Sequence, residues 1–221
     1  MRSFDDIWTI AAKRKGGDDQ LEQALVKPKP DASLAKIADD RWLSTMAKCI
    51  FQAGFSWKVV ETKWPGFEEA FFGFDVPRVA MFHGEDFEKL VGDTRIIRNG
   101  PKIKAVHENA IFVCDVVAEQ GGFGKFIADW PQEDYVGLLE VLKKRGSRLG
   151  GATGQYLLRF SGKDSFILSR DVVARLAAEG VVDGPTSSKR AMAAIQAAFN
   201  TWVGQSGRSL TEISRVLAMS V

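Results

Sequence analysis

The run Lys143-Lys144-Arg145-Gly146, followed by Leu149-Gly150-Gly151-Ala152-Thr153-Gly154-Gln155-Tyr156, holds the residues best suited to gripping an anion. A helix ends there in three cations, the chain turns through glycines, and a second helix starts near Ala152. Glycines let a backbone approach a phosphate closely, and the N–H groups at a helix start attract negative charge. An ordinary turn between two helices has a similar composition, so pattern alone keeps both readings open. A second string, Gln52-Ala53-Gly54-Phe55-Ser56-Trp57, sets an amide, a hydroxyl and two aromatic rings within one turn. An indole there can stack on a flat or cationic ring; it can equally join a core with Trp64 and Phe67. Glu61, four residues beyond Trp57, shares its helical face and adds a carboxylate.

The elements that must carry these residues read as helices. Trp42, Leu43, Met46, Cys49, Ile50 and Ala53 form one apolar stripe. Asp75-Val76-Pro77 is a helix start, with an acidic cap and proline in the first turn. Ile96-Ile97-Arg98-Asn99-Gly100-Pro101-Lys102-Ile103-Lys104-Ala105, continuing to Asn109-Ala110, reads as a basic turn feeding a helix over 101–119. Ile103, Val106, Ala110 and Val113 share its inner face, and Gly121-Gly122 stops it. A further helix is expected from Gln132 to Lys144, its basic end placed where the helix dipole favours cations. Met192, Ile195, Phe199 and Trp202 form another inward stripe, and Ser209 with Glu212 makes a capping-box pattern. Ser165-Phe166-Ile167-Leu168 is strand-like but isolated. The fold class expected is all-α, with about ten to twelve short helices.

Bulk properties fit a globular protein. The chain has 221 residues, 45% of them hydrophobic, long enough for one large domain or two lobes. No apolar run approaches the ~20 residues that span a bilayer, so no membrane is expected. The N-terminus mixes charges and lacks a leader pattern. Cys49 and Cys114 lie in apolar helical patterns, which argues against a disulfide framework and for a reducing, cytoplasmic setting. Net charge is only +2, so contact with nucleic acid must come from local clusters. Lys27-Pro28-Lys29-Pro30 reads as a linker. The expected division is therefore a helical extension with its linker at 1–31, then a main domain at 32–221.

Taken together, Gln-Ala-Gly-x-Ser-Trp, Ile-Ile-Arg-x-x-x-Lys-Ile-x-Ala-x-x-x-Asn-Ala and Lys-Lys-Arg-Gly with Gly151, Thr153 and Tyr156 resemble the bacterial 3-methyladenine DNA glycosylase I family, over about residues 42 to 175. The resemblance implies a two-lobed bundle of the helix-hairpin-helix glycosylase type, with a cleft for a base flipped out of duplex DNA. It implies that Trp57 stacks on the damaged base and that Phe55 fills the gap left in the duplex. Gln52 and Ser56 would line the same turn. Lys143, Lys144, Arg145, Gly151 and Thr153 would hold the backbone. The implied partner is double-stranded DNA carrying alkylated bases, bound by a monomer without a cofactor.

Two departures, at the glutamate and at the zinc site, accompany the resemblance; the lack of the superfamily's aspartate is shared with the family. Cys49 stands where the family places the glutamate that grips the base edge, and a thiol is a weak donor and acceptor. Ser169 stands where the wider superfamily keeps a catalytic aspartate, as the run from Phe166 to Arg175 is aligned. A cationic base leaves as a neutral group, so a modest electrostatic push can suffice. Asp171 and Glu61 are the carboxylates that could supply it. The family's zinc site lacks its ligands: no Cys or His precedes Cys49 or follows Cys114, and Asp171 replaces a metal-binding histidine. No metal is expected. The sequence points to a DNA glycosylase acting on alkylated purines. Its rival is a catalytically inactive DNA-binding relative, and a third reading is a helical protein whose basic turns contact another protein.

Overall fold

Helical periods become fourteen α-helices and two short 3-10 turns in the computed structural model, which describes residues 1–221. With 71% of the residues helical and no strand, the protein is all-α. No helix is long and apolar enough to cross a membrane. The N-terminal helices are α1 (Phe4–Lys15) and α2 (Asp18–Gln23). Next come α3 (Asp31–Leu34), α4 (Asp39–Gln52), α5 (Trp57–Ala70), α6 (Val76–Ala80), α7 (Gly84–Gly92), α8 (Gly100–Gln120) and α9 (Phe123–Asp129). The chain finishes with α10 (Tyr135–Arg145), α11 (Ala152–Ser161), α12 (Arg170–Ala178), α13 (Lys189–Ser206) and α14 (Leu210–Met219). The helix count exceeds the expected ten to twelve because α2, α3 and α6 are too short to build up a hydrophobic period. The helix expected at Gln132 opens instead as a 3-10 turn over Gln132–Asp134 before α10 begins.

The residues form two compact units. One comprises 1–29, 130–138 and 162–221; the other comprises 30–129 and 139–161. The boundary placed by sequence at 31/32 lies beside the first crossing. Sequence reading could not show that the N-terminal segment shares a unit with the last sixty residues, because that pairing is set by long-range packing.

In the unit that includes the N-terminus, α1 packs against α13 and α14. Ser3 and Asp6 close a capping box at the start of α1. Arg2 donates to Glu179 at 2.6 Å, and Arg175 reaches the same carboxylate at 3.2 Å. The strand-like run at 165–168 forms neither helix nor strand. Its backbone is satisfied by side chains: the Ser165 N–H donates to Thr211 Oγ1 at 3.1 Å, and the Ile167 N–H to Ser214 Oγ at 3.2 Å. Asp164 then caps α14 by accepting from the Leu210 and Thr211 N–H groups at 3.0 and 2.8 Å.

The unit at 30–129 and 139–161 is built on α8, which packs against α4 and α6. Its start follows the sequence: the Asn99 side chain accepts from the Lys102 N–H, and Pro101 occupies the first turn. Gly121 ends it in the left-handed conformation, φ 81°. Trp42, Leu43, Met46 and Ile50 bury the inner face of α4, each worth about 1.5–3 kcal/mol. The helix after the glycine hairpin, α11, also lies on α4.

Candidate functional site

The chain between α4 and α5 exposes two aromatic side chains. Ala53 is extended, Gly54 takes φ 80°, and Ser56 occupies the N-cap position of α5. Phe55 is 41% exposed and Trp57 46% exposed, both unusual for large apolar residues. The Trp57 ring meets Tyr156 and Phe160 of α11 edge-on, with centroids 5.6 and 5.8 Å away. The alternative of a core tryptophan packed with Trp64 and Phe67 does not hold. Those two rings stack on each other at 5.1 Å, and Trp57 stays outside.

Beneath this turn lies Lys102, only 7% exposed. Its ammonium donates to the carbonyls of Ile50, Phe51 and Ala53 at 2.8, 3.3 and 2.6 Å. The Phe55 ring lies 4.5 Å from the same nitrogen. Burial, and then the nearby Arg148 guanidinium, pull the Lys102 pKa below the ordinary lysine value.

At the hairpin, Lys143 and Lys144 project into solvent from the end of α10. Arg145 does not act as a free cation. Its guanidinium forms two bonds to Glu119, at 2.7 and 2.8 Å, and lies over the Phe112 ring at 5.1 Å. This partner, near the end of α8, is beyond the reach of any local sequence pattern. Asn109 of α8 pins the loop by donating to the Ser147 carbonyl at 2.9 Å and accepting from its N–H at 2.8 Å. Gly146 is required by crowding, because a Cβ there would stand 2.7 Å from the Leu142 carbonyl. Gly151 takes φ 58°, and Arg148 adopts the same left-handed region although it has a side chain. A recess of about 370 Å³ opens beside the loop, lined by Ile50, Ala53, Lys102, Arg148, Gly150 and Thr153. Trp57 is not part of its wall.

The other expected residues divide clearly. Gln52 is buried, and its amide lies 3.4 Å from Glu61 Oε1. Glu61 also pairs with Lys48 at 2.8 Å. Cys49, at 4% exposure, lies on the apolar face of α4, in the stripe that its sequence spacing indicates. Burial pushes its thiol up to about 12. Asp171 lies in the unit that holds the N-terminus, exposed in the first turn of α12 behind its N-cap Ser169. Lys102, Arg148 and Phe160 carried no assignment from sequence. Lys102 had a local signal in its place in the Ile-Ile-Arg string, and Arg148 had one in the basic cluster with Lys143, Lys144 and Arg145.

A larger recess of about 640 Å³, between Asp39–Arg41, Phe72–Pro77 and Cys114–Ala118, holds none of the expected residues. Two of its carboxylates already serve the fold: Asp39 accepts from the Phe123 N–H and Asp75 from the Arg78 N–H. The zinc that the resemblance implies does not fit this chain. No three His, Cys, Asp or Glu side chains gather as a ligand set. Of the two histidines, His107 is committed through Nδ1 to the Val79 carbonyl at 2.9 Å, and His83 pairs with Asp86.

The body is of the all-helical class, and it presents an exposed indole against α11, the helix that follows the cation-ended glycine hairpin. Comparison narrows the class. A crystal structure of 3-methyladenine DNA glycosylase I superposes with a TM-score of 0.50 at 27% identity, covering 57% of this chain and 80% of that one. A 3-methyladenine DNA glycosylase I from Staphylococcus aureus gives 0.52 at 22% identity, over 62% and 80% of the two chains, and supports the fold. DNA-3-methyladenine glycosylase 1 of Escherichia coli (strain K12) is 44% identical over 59 residues, 27% of this chain. That stretch spans 32% of the Escherichia coli protein's length. The methyladenine glycosylase family model matches residues 35–156, and the chain belongs to that family.

Proposed function

We propose that this protein is a DNA glycosylase that hydrolyses the N-glycosidic bond of alkylated purines, 3-methyladenine foremost, in base excision repair. The observation that carries the reading is Trp57: a half-exposed indole, flanked by two further rings, in the same unit as the glycine hairpin. A base inside a duplex must be extruded before its glycosidic bond is reached, at a cost of a few kcal/mol. Phe55 would fill the vacated space, as apolar wedges do. A purine carrying positive charge gains about 0.5–2 kcal/mol from an indole face. Lys143, Lys144, Gly151 and Thr153 would hold phosphates, contacts that position without reading sequence.

In the reaction the C1′–N bond breaks and its electron pair leaves with the base, which becomes neutral. Water supplies the oxygen that bonds to C1′ and gives up a proton. Asp171 or Glu61 would stabilise the positive charge that builds on the sugar. Gln52 and Ser56 would bound the base-side turn. The protein is taken to act as a monomer in the cytoplasm, since no step needs a second subunit.

The test is release of free 3-methyladenine from methylated duplex DNA. Wild type should release it. Trp57→Ala should slow the release about 5–150-fold and keep duplex binding, and Asp171→Asn against Glu61→Gln identifies the carboxylate. A wild type that binds duplex with a steep salt dependence but releases no base would instead be the inactive relative. The burial of Cys49, where a base-gripping carboxylate would stand, is the observation that favours that second reading. Failure to bind duplex would remove both.

A further inference from the structure

We infer that Lys102 is a positioning residue: its ammonium fixes the backbone turn that presents Phe55 and Trp57, and it does so without contacting DNA.

The inference starts from the end of α4. A helix leaves its last carbonyls without intrahelical partners, and buried ones must be satisfied elsewhere. Here each can be followed. The Cys49 carbonyl accepts from the Ala53 N–H at 3.1 Å, and the Gln52 carbonyl from the Phe55 N–H at 3.3 Å. The carbonyls of Ile50, Phe51 and Ala53 all turn to Lys102. An ammonium has three donors and no more, so these contacts use its full capacity. Lys102 lies in the first turn of α8, fifty residues away in sequence, and Asn99 caps that turn through the Lys102 N–H.

The consequence is geometric. The chain leaves α4 through Ala53 and Gly54 and enters α5 at Trp57, with the Ala53 carbonyl held by the lysine at the hinge. Phe55 lies with its ring 4.5 Å from the ammonium, a cation–π contact on the same group. One side chain therefore fixes the end of α4, the turn and the inner edge of the wedge residue. A phosphate cannot recruit the ammonium without releasing a carbonyl. A guanidinium is a planar fork, not a compact three-donor head, so arginine is a poor replacement at this site.

The inference rests on the proposed function for its catalytic readout, and the experiment separates the two. Full-length wild type, Lys102→Met and Lys102→Arg are labelled with 5-fluorotryptophan, and the position 57 fluorine signal is assigned with Trp57→Phe. Both Lys102 variants should shift or broaden that signal. Single-turnover release of 3-methyladenine should fall about 10–100-fold, the usual loss from a misplaced group. The salt slope of duplex binding should stay at the wild-type value in both. A slope reduced by about one in Lys102→Met but kept in Lys102→Arg, with an unmoved fluorine signal, would make Lys102 a phosphate contact and overturn the inference. If neither variant folds, the wild-type Lys102 ammonium nitrogen signal decides. It should persist and hold its position when a short duplex is added; a large shift on DNA binding refutes the assignment. A wild type inactive on methylated DNA removes the proposed function, yet leaves the fluorine and ammonium readouts intact.

Discussion

The ring of Trp57 stands perpendicular to that of Tyr156, at 88°, with centroids 5.6 Å apart. The arrangement holds the indole by its surroundings while leaving it half open to solvent, and Phe160 adds a second edge contact at 87°. Base stacking on such a ring is worth about 1–3 kcal/mol. Trp57→Ala should therefore cut excision of 3-methyladenine about 5–150-fold, with a melting temperature close to wild type because little of the core is lost. Phe160→Ala should give a smaller loss of the same kind. Measuring both rates against binding of undamaged duplex checks the assignment; equal losses in binding and excision would argue against a base-stacking role.

The hairpin cations separate by partner. Lys143 and Lys144 are exposed at the end of α10, while Arg145 is held by Glu119. The slope of log affinity for duplex DNA against log salt should fall by about one for Lys143→Gln and again for Lys144→Gln. Arg145→Gln should leave that slope nearly intact and instead lower the melting temperature slightly. A slope change confined to Arg145→Gln would reverse this division.

Much of this architecture was legible beforehand where the signal is local. The 101–119 helix, its proline start and its glycine stop are read from neighbours in sequence, and the structure places α8 at Gly100–Gln120. The Ser209–Glu212 box was equally readable, since both bonds lie within one turn. What stayed hidden depends on partners far along the chain. Arg145 looked like a free cation because Glu119 is twenty-six residues away. Lys102 looked like one more basic residue because its carbonyl partners lie about fifty residues back. The run at 165–168 resembled a strand because Phe166 and Ile167 are strand-prone residue types, and only the positions of Thr211 and Ser214 reveal how its backbone N–H groups are satisfied.

Cys49 and Cys114 should differ sharply toward alkylating reagents. Only the thiolate reacts, and a thiol titrating at about 12 is ionised at pH 8 in roughly one molecule per ten thousand. Burial, then Asp115 and Asp39, also raises the Cys114 thiol, but that residue is half-exposed. Iodoacetamide at pH 8 should modify Cys114 slowly and spare Cys49 until denaturant is added, as peptide mass spectrometry would record. The same burial predicts that Cys49→Glu lowers the melting temperature without raising base release, because it sets a carboxylate among apolar side chains. Rapid labelling of Cys49 in the native protein would place it at an accessible surface instead.

Glu179 should make the protein acid-sensitive. Burial alone would raise its carboxyl, but the Arg2 backbone N–H, the Arg2 guanidinium and Arg175 outweigh that and hold it below the ordinary glutamate value of 4.5. The folded protein therefore binds this proton less readily than the unfolded chain does. Its contribution is fully present above pH 4.5 and is lost as pH falls through the lower, folded value. Glu179→Gln, which keeps an acceptor but loses the charge, should cost about 1–3 kcal/mol at pH 7. In a chain of this size that is a few degrees per kcal/mol in melting temperature. Calorimetry of both proteins from pH 7 to pH 3 gives the check: the gap should be constant down to about pH 5 and then close, because acid neutralises the same carboxylate in the wild type. A gap that persists unchanged at pH 3 would mean that the charge on Glu179 contributes nothing, and that the Arg2 and Arg175 contacts act through shape alone.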